Sequence, residues 1–302
     1  MEEKFKSGFV SIIGRTNVGK STIINSLVGE KVAAVANKTQ TTRTAIRAIV
    51  NRENSQIIFI DTPGIHKPKS KLSEIMIDTA FTFIGDVDVV VFVIDGTSKE
   101  IGRGDSKILE KIRQAGKKTI LAINKVDLVE NKADLLKLID LYKQEYNFTA
   151  VVPISATKKD NLEILLQEIE SNLKEGPAYY DIEEYTDQTM RQLVEETIRE
   201  KALRLLNDEV PHGIYVETEK MKERTTKTGE PIYDVEATIY CLKRSHKGII
   251  IGKDGNMLKR IASYARTDLE KMLDIKINLK VWVKVKEDWL NNDTLVKKFK
   301  LQ

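Results

Sequence analysis

Eight residues near the start of the chain, Gly14-Arg15-Thr16-Asn17-Val18-Gly19-Lys20-Ser21, carry the spacing G-x-x-x-x-G-K-[ST]. They follow an apolar run and open a stretch with helical periodicity. Glycines let such a loop wrap closely, with backbone N–H groups such as those of Val18 and Gly19 turned towards phosphate oxygens. The helix beginning at Lys20 adds the positive end of its dipole. Lys20 can bridge β- and γ-phosphates, the Ser21 hydroxyl can ligate Mg²⁺, and Thr22 follows on the same turn. The strand–loop–helix setting argues against a chance match, so the loop reads as a nucleoside triphosphate site.

The loop does not choose the base. Asn124-Lys125-Val126-Asp127 does, at the end of a later apolar run. The Asp127 carboxylate accepts two hydrogen bonds from the ring N–H and exocyclic amine of guanine, a pair adenine lacks. Lys125 lays its stem over the base and Asn124 braces the loop. Ser155-Ala156 follows the next run and brings the Ala156 N–H to the guanine oxygen. Asp61-Thr62-Pro63-Gly64 ends another run. Asp61 holds Mg²⁺ through water, and the Gly64 N–H senses the γ-phosphate. Between these motifs lies NKTQTTRT, residues 37–44, where the hydroxyl of Thr42, with Thr41 beside it, completes the Mg²⁺ shell when triphosphate is bound. Lys20, Ser21, Thr42, Asp61 and Gly64 are therefore the expected catalytic set. Ile65, next in the chain, cannot orient an attacking water, so hydrolysis needs another device. His66 reads as a bystander.

The elements that must hold these residues have two grammars. Strands are expected at Phe9–Ile13, Gln56–Ile60, Val87–Ile94, Thr119–Ile123 and Val151–Ile154, several of them apolar at nearly every position. That is the pattern of strands covered on both faces of a parallel sheet. Helical periodicity at Ser21–Val28, Ser70–Phe83, Asp105–Gln114, Lys132–Glu145 and Leu162–Asn172 alternates with them. The first half is therefore a doubly wound α/β domain over residues 1–174. EGPAYYDIEEYTD, residues 175–187, reads as a linker. Residues 188–302 then run α-β-β-α-α-β with a C-terminal helix, the order of a small α+β domain.

That second half contains another glycine loop, Gly252-Lys253-Asp254-Gly255, between two helical segments. A GxxG turn after Ile249-Ile250-Ile251 can bring backbone close to about four nucleotides of a single strand. Ile249, Ile250, Ile251 and Ile261 are candidates for an apolar groove under the bases, and Lys253, Lys259 and Arg260 for phosphate contacts. The net charge of +4 conceals strong segregation. Residues 1–176 hold 26 Lys and Arg against 23 Asp and Glu, residues 177–240 hold 8 against 15, and residues 241–286 hold 12 against 4. The basic block encloses the second loop, which favours nucleic acid.

One cysteine, Cys241, excludes an intramolecular disulfide and a cysteine zinc cluster, and it reads as a small buried hydrophobe. No signal-peptide pattern and no run of about 20 apolar residues is present, so the expectation is an intracellular protein.

The ordered nucleotide motifs resemble those of translation-factor-related P-loop GTPases, and the second half resembles a type II KH domain. TQTTR, DTPG and NKVD followed by that module are similar to the Era family of GTPases over essentially the whole chain. The resemblance implies a GTP-hydrolysing switch that binds 16S ribosomal RNA near its 3′ end and acts in assembly of the 30S subunit. It further implies a cytoplasmic monomer, with no DNA partner and with peripheral association at the inner face of the membrane. By analogy with GTPases lacking the water-orienting glutamine, Asn17 helps to bind K⁺. Ile65 leaves open the alternative of a GTP-dependent RNA-binding scaffold with little hydrolysis of its own, acting on another RNA.

Overall fold

The computed structural model describes residues 4–296 except Asn37, Thr39, Gln40, Thr44, Lys69, Lys227, Asp293 and Leu295. Part of the TQTTR motif and residues 297–302, where the C-terminal helix was expected to continue, thus lie outside the described residues. The chain divides into two compact units.

The first unit comprises residues 1–33, 42–69 and 73–187. Its sheet runs β2 (Ile46–Arg52), β3 (Ser55–Asp61), β1 (Lys6–Gly14), β4 (Val89–Asp95), β5 (Lys118–Asn124), β6 (Ala150–Pro153), with a short β7 (Lys174–Glu175) paired to β1. β1, β3, β4, β5 and β6 are mutually parallel. β4 shows why. Val89, Val91 and Val93 enter one core with Ile23 and Ile24 of α1 (Lys20–Val28) and Leu165 and Ile169 of α5 (Leu162–Asn172). Val90, Phe92 and Ile94 enter the other, with α2 (Lys71–Gly85), α3 (Arg103–Ala115) and α4 (Lys132–Glu145). A strand covered on both faces has no place for polar alternation. Burying each such side chain contributes about 1.5–3 kcal/mol.

Two features differ from the sequence reading. β2 (Ile46–Arg52) was not expected; it pairs antiparallel with β3 across a turn at Glu53 and Asn54. Its signal was present in the apolar run IRAIV before that polar turn. The segment 175–187 is also no free tether. The Gln56 side chain accepts from the Tyr179 and Tyr180 N–H groups, and Asn51 donates to the carbonyls of Ile182 and Glu184. The Ile49 N–H donates to the Tyr185 carbonyl at 3.0 Å. The segment is strapped along the sheet edge that β2 would otherwise leave bare.

The second unit comprises residues 34–41, 70–72 and 188–302. Thr189 and Gln192 form a capping box at the start of α6 (Met190–Leu205). The order continues β8 (Tyr215–Thr225), β9 (Pro231–Cys241), α7 (Arg244–Ile251), α8 (Asn256–Leu273) and β10 (Lys276–Val285). β9 is central, antiparallel to β8 and parallel to β10. Ile198, Ala202, Ile250, Ile261, Ala265 and Leu269 from the helices meet Val235, Ala237 and Ile239 of β9 in one core.

Candidate functional site

The nucleotide loop leaves β1 at Gly14 and enters α1 at Lys20. Gly14 is fixed by space: a Cβ there would lie 2.3 Å from the Val93 carbonyl oxygen. Gly19 is fixed twice, by φ +99° and by a Cβ position 2.2 Å from the Asn124 side chain. Asn17 has φ 64°, and its side chain is exposed at the rim of the loop.

Lys20 is 6% exposed, and its ammonium donates to the carbonyls of Gly14 (3.2 Å) and Arg15 (3.0 Å). Burial pulls its pKa down to about 8, against the opposing attraction of Asp61. The side chain is folded back on its own loop, within reach of where a phosphate would sit.

The Ser21 hydroxyl donates to Asp61 Oδ2 at 2.8 Å, and Thr42 Oγ1 lies 3.1 Å from the same oxygen and 3.1 Å from Ser21 Oγ. One carboxylate and two hydroxyls thus converge. Hard oxygen donors fit Mg²⁺, which takes few protein ligands and completes its shell with phosphate and water. Thr41 is turned away from this cluster, its hydroxyl donating to the Lys38 carbonyl at 2.7 Å.

Asp61 ends β3, and the Thr62 hydroxyl donates to the Ile12 carbonyl (2.8 Å), pinning the following turn to β1. Pro63 is buried in that turn. A Cβ on Gly64 would lie 2.8 Å from Thr16 Cα, so this glycine is required by close approach. Ile65 is 3% exposed, and its N–H donates to the Gly14 carbonyl at 3.1 Å. It has no water-facing role: it bridges the switch segment to the nucleotide loop by backbone. His66 Nδ1 lies 2.9 Å from the Gly64 carbonyl.

Asn124 makes two hydrogen bonds to neighbouring backbone. Its Nδ2 donates to the Val18 carbonyl at 2.8 Å, while its Oδ1 accepts from the Ala156 N–H at 3.1 Å. One side chain therefore ties the phosphate loop to the turn expected to meet the guanine oxygen. Ser155 is fully buried, and its hydroxyl accepts from the Lys158 N–H. Asp127 stands exposed on a 3₁₀ turn, Val126–Leu128. The cost of leaving it unpaired arises only once a base covers it.

The sequence reading does not single out two carboxylates that support the site, Asp95 and Asp105. Lys125, at φ 66°, is paired with Asp95 at 2.6 Å. Burial works against the Asp95 charge, but Lys125 and the Thr97 hydrogen bonds outweigh it and hold that carboxyl below its ordinary value. Arg15 extends from the loop to Asp105, a fully buried carboxylate 3.0 Å from its Nε, and to the Ser98 hydroxyl at 3.3 Å. Asp95 was discoverable: like Asp61, it is a carboxylate at the carboxyl end of a parallel strand.

In the second unit, Gly252 (φ 73°) and Gly255 (φ 74°) flank Asp254, itself at φ 52°. A Cβ at Gly252 would meet Met257 Cβ at 2.7 Å, whereas nothing lies within 4 Å of one at Gly255. Lys253, Asp254, Lys259 and Arg260 are exposed. Ile249 is 50% exposed beside them and Ile251 is half-buried. Ile250 and Ile261 are 0% exposed within the core, so they are removed from the expected groove. On a helix, three consecutive residues point about 100° apart, and only one of the three isoleucines can face a ligand squarely. Cys241 is buried as expected, and burial raises its thiol pKa.

Comparison with known proteins follows the same division. The model of the 50S ribosome-binding GTPase family matches residues 9–125, and that of the KH domain matches residues 209–290. "GTPase Era" of Clostridioides difficile (strain 630) is 51% identical over 295 residues, 98% of this chain and 98% of that protein. "GTPase Era" of Ruminiclostridium cellulolyticum is 47% identical over 293 residues, 97% of this chain and 96% of that protein. Among solved structures, Era in complex with MgGDPNP and nucleotides 1506–1542 of 16S ribosomal RNA aligns with TM-score 0.93, 37% identity and 98% coverage of both chains. A tyrosine-to-alanine variant of Aquifex aeolicus Era bound to GDP.AlF4- aligns at TM-score 0.92 and 36% identity, covering 98% of this chain and 99% of that one. With both modules in order and half the residues of a full-length relative shared, the chain belongs to the Era family of GTPases.

Proposed function

We propose that the chain is a GTP-hydrolysing switch that binds the 3′ region of 16S ribosomal RNA through Gly252–Gly255 and acts in maturation of the 30S subunit in the cytoplasm. The observation that carries the nucleotide half is the convergence of Ser21, Thr42 and Asp61 beside a buried Lys20. For the RNA half it is the left-handed GxxG turn with exposed basic neighbours, in a chain whose structural relative was solved with 16S RNA.

The residues divide the work. Backbone N–H groups around Val18 and Gly19 take the β-phosphate, and Lys20 exchanges its two carbonyl partners for phosphate oxygens. Asn124 holds Val18 and Ala156 in register, so that Asp127 and the Ala156 N–H read guanine while Lys125, aligned by Asp95, covers the base. Ser21, Thr42 and Asp61 would hold Mg²⁺, which neutralises phosphate charge when bound. Gly64 presents its N–H to the γ-phosphate because nothing larger fits against Thr16. Hydrolysis proceeds without a water-orienting side chain at Ile65. Asn17, exposed at the rim, is the residue to help bind K⁺, which would supply charge in the transition state.

Coupling has a physical carrier within the second unit. There the Val35 N–H donates to Glu200 (3.3 Å) and its carbonyl accepts from Arg204 (2.9 Å), both on α6. Arg199 of α6 donates to the Thr41 carbonyl. Thr42, the next residue, faces Ser21 and Asp61. Pulling Thr42 towards triphosphate therefore loads the hydrogen bonds one residue away.

The test is binding of a labelled oligonucleotide copying the 3′ end of 16S RNA against a scrambled one at fixed salt, with GTP turnover measured alongside in saturating potassium. Selective binding with turnover is the expected result. Binding without turnover would leave the GTP-dependent scaffold, and equal binding of both strands would overturn the ribosomal target.

A further inference from the structure

The glycine turn does not account for all the positive charge of the second unit. Alternate residues of β10, Ile277 and Val283 among them, enter the core against the helices. Lys276, Lys280, Trp282 and Lys284 therefore lie on the opposite face of the sheet, and all four are exposed. On β8 the register shifts by a bulge between Thr218 and Lys220. Val216 and Thr218 are buried before it, and Met221 packs on the core after it. The extra residue, Glu219, thus resets the alternation and turns Lys220, Lys222 and Arg224 outward.

Pairing across β9 then builds rows. Lys220, Glu236 and Lys280 share one row, and Lys222, Asp234 and Asn278 the next. These rows enclose a depression of about 270 Å³. Asp234 is already engaged by Arg224 (2.6 Å) and Asn278 (2.7 Å). The side chains of Lys220, Lys222 and Lys280 make no hydrogen bond or ion pair to any described residue. Outward residues on one strand are about 7 Å apart, the order of the phosphate spacing in an extended single strand. Trp282 continues the β10 side of the row, 43% exposed, with a ring face on which a base can stack.

We propose that this outer face of β8–β10 is a second RNA-contact surface, which holds the backbone and one stacked base of an RNA strand beyond the nucleotides gripped at Gly252–Gly255. The proposal rests on the RNA-binding reading above. Unpaired lysines on both rims select a polyanion. Glu236 on the floor disfavours a small free anion and a purely acidic protein surface, yet it accepts hydrogen bonds from ribose 2′-hydroxyls and base amino groups. A glycine clamp reaches only about four nucleotides, so a longer RNA needs a further surface.

The test compares two labelled RNAs at several salt concentrations, one of about six nucleotides that fills only the clamp and one of about thirty. In the full-length chain with Lys220→Gln, Lys222→Gln and Lys280→Gln, the long RNA should bind about tenfold or more weaker. The slope of log K against log salt should fall by about 2, three phosphate contacts at about 0.7 each. The short RNA should bind as before, and so should the long RNA to the variant carrying arginine at the same three positions. Trp282→Ala should weaken only the long RNA, by about five- to tenfold. An unchanged slope and affinity for the long RNA would overturn the proposal, as would an equal loss for both RNAs. Gly252→Asp is the control for the clamp: if it leaves the short RNA unaffected, the clamp reading has failed, whatever the lysine variant does.

Discussion

The two glycine loops both manage phosphate, yet their glycines answer different demands. Gly14 is needed because backbone and side-chain atoms crowd the space a Cβ would fill, and Gly19 because both crowding and a positive φ apply. Their loop is braced from every side, by Asn124, by the Ile65 backbone and by Arg15 on Asp105. Gly255, by contrast, sits in open space, required only by its φ of 74°. Its neighbouring lysines are exposed, whereas Lys20 is buried. The first loop suits one small ligand of fixed geometry held in a preformed cradle. The second suits a flexible chain that passes across a surface and exchanges rapidly.

The comparison breaks most visibly at Lys20. Lys20→Ala removes a buried charge that meets two phosphates, and nucleotide affinity should fall by about 10²–10³-fold, read with a fluorescent GDP analogue. Short-RNA binding measured without nucleotide should not change. Asn124→Ala comes next. It unties Val18 from Ala156, and a loss of about ten- to a hundredfold in GTP affinity is expected from two hydrogen bonds.

In the second loop the expected effects are smaller and unequal. Gly252→Ala combines a left-handed φ with a collision at Met257, and short-RNA affinity should drop by about tenfold or more. Gly255→Ala meets strain alone, so the loss should be about fivefold. Equal losses would mean that crowding at Met257 is irrelevant.

The subtlest contrast is protonic. Lys20 titrates near pH 8 in the nucleotide-free protein, and phosphate restores its ordinary preference for charge. Nucleotide binding at pH 8 should therefore take up about half a proton, measurable by calorimetry in buffers of different ionisation enthalpy. Affinity should weaken as pH rises from 7 to 9.5. The folding sign runs the other way. The folded pKa is lower than the unfolded one, so the unfolded chain binds more protons between about pH 8 and 10.5. Lys20 therefore favours the folded, nucleotide-free state increasingly across that window.

What the sequence made legible follows the same contrast. The nucleotide loop, Asn124 and Asp61 were readable because strand ends and fixed spacings place them without knowledge of any distant contact. β2 was overlooked because it is an antiparallel edge strand in a pattern read as βα alternation. The segment 175–187 looked like a tether because its composition is polar, while its order comes from Gln56 and Asn51, more than a hundred residues earlier. Three isoleucines in a row hid which one is core, since that depends on the phase of α7. The lysines of the outer sheet face were least visible of all. Lys220, Lys222 and Arg224 lie in a block that is acidic in linear sequence, and only the bulge at Glu219 brings them beside Lys280.

The proposed switch requires that the nucleotide at the first loop governs RNA at the second. The most direct measurement is the affinity of the wild-type chain for the 3′-end oligonucleotide, with a non-hydrolysable GTP analogue and then with GDP, at one salt concentration. The account predicts tighter binding with the analogue, by about five- to a hundredfold, the usual range of a coupling free energy of about 1–3 kcal/mol. Identical affinities in the two states would contradict it, leaving two loops that handle phosphate independently.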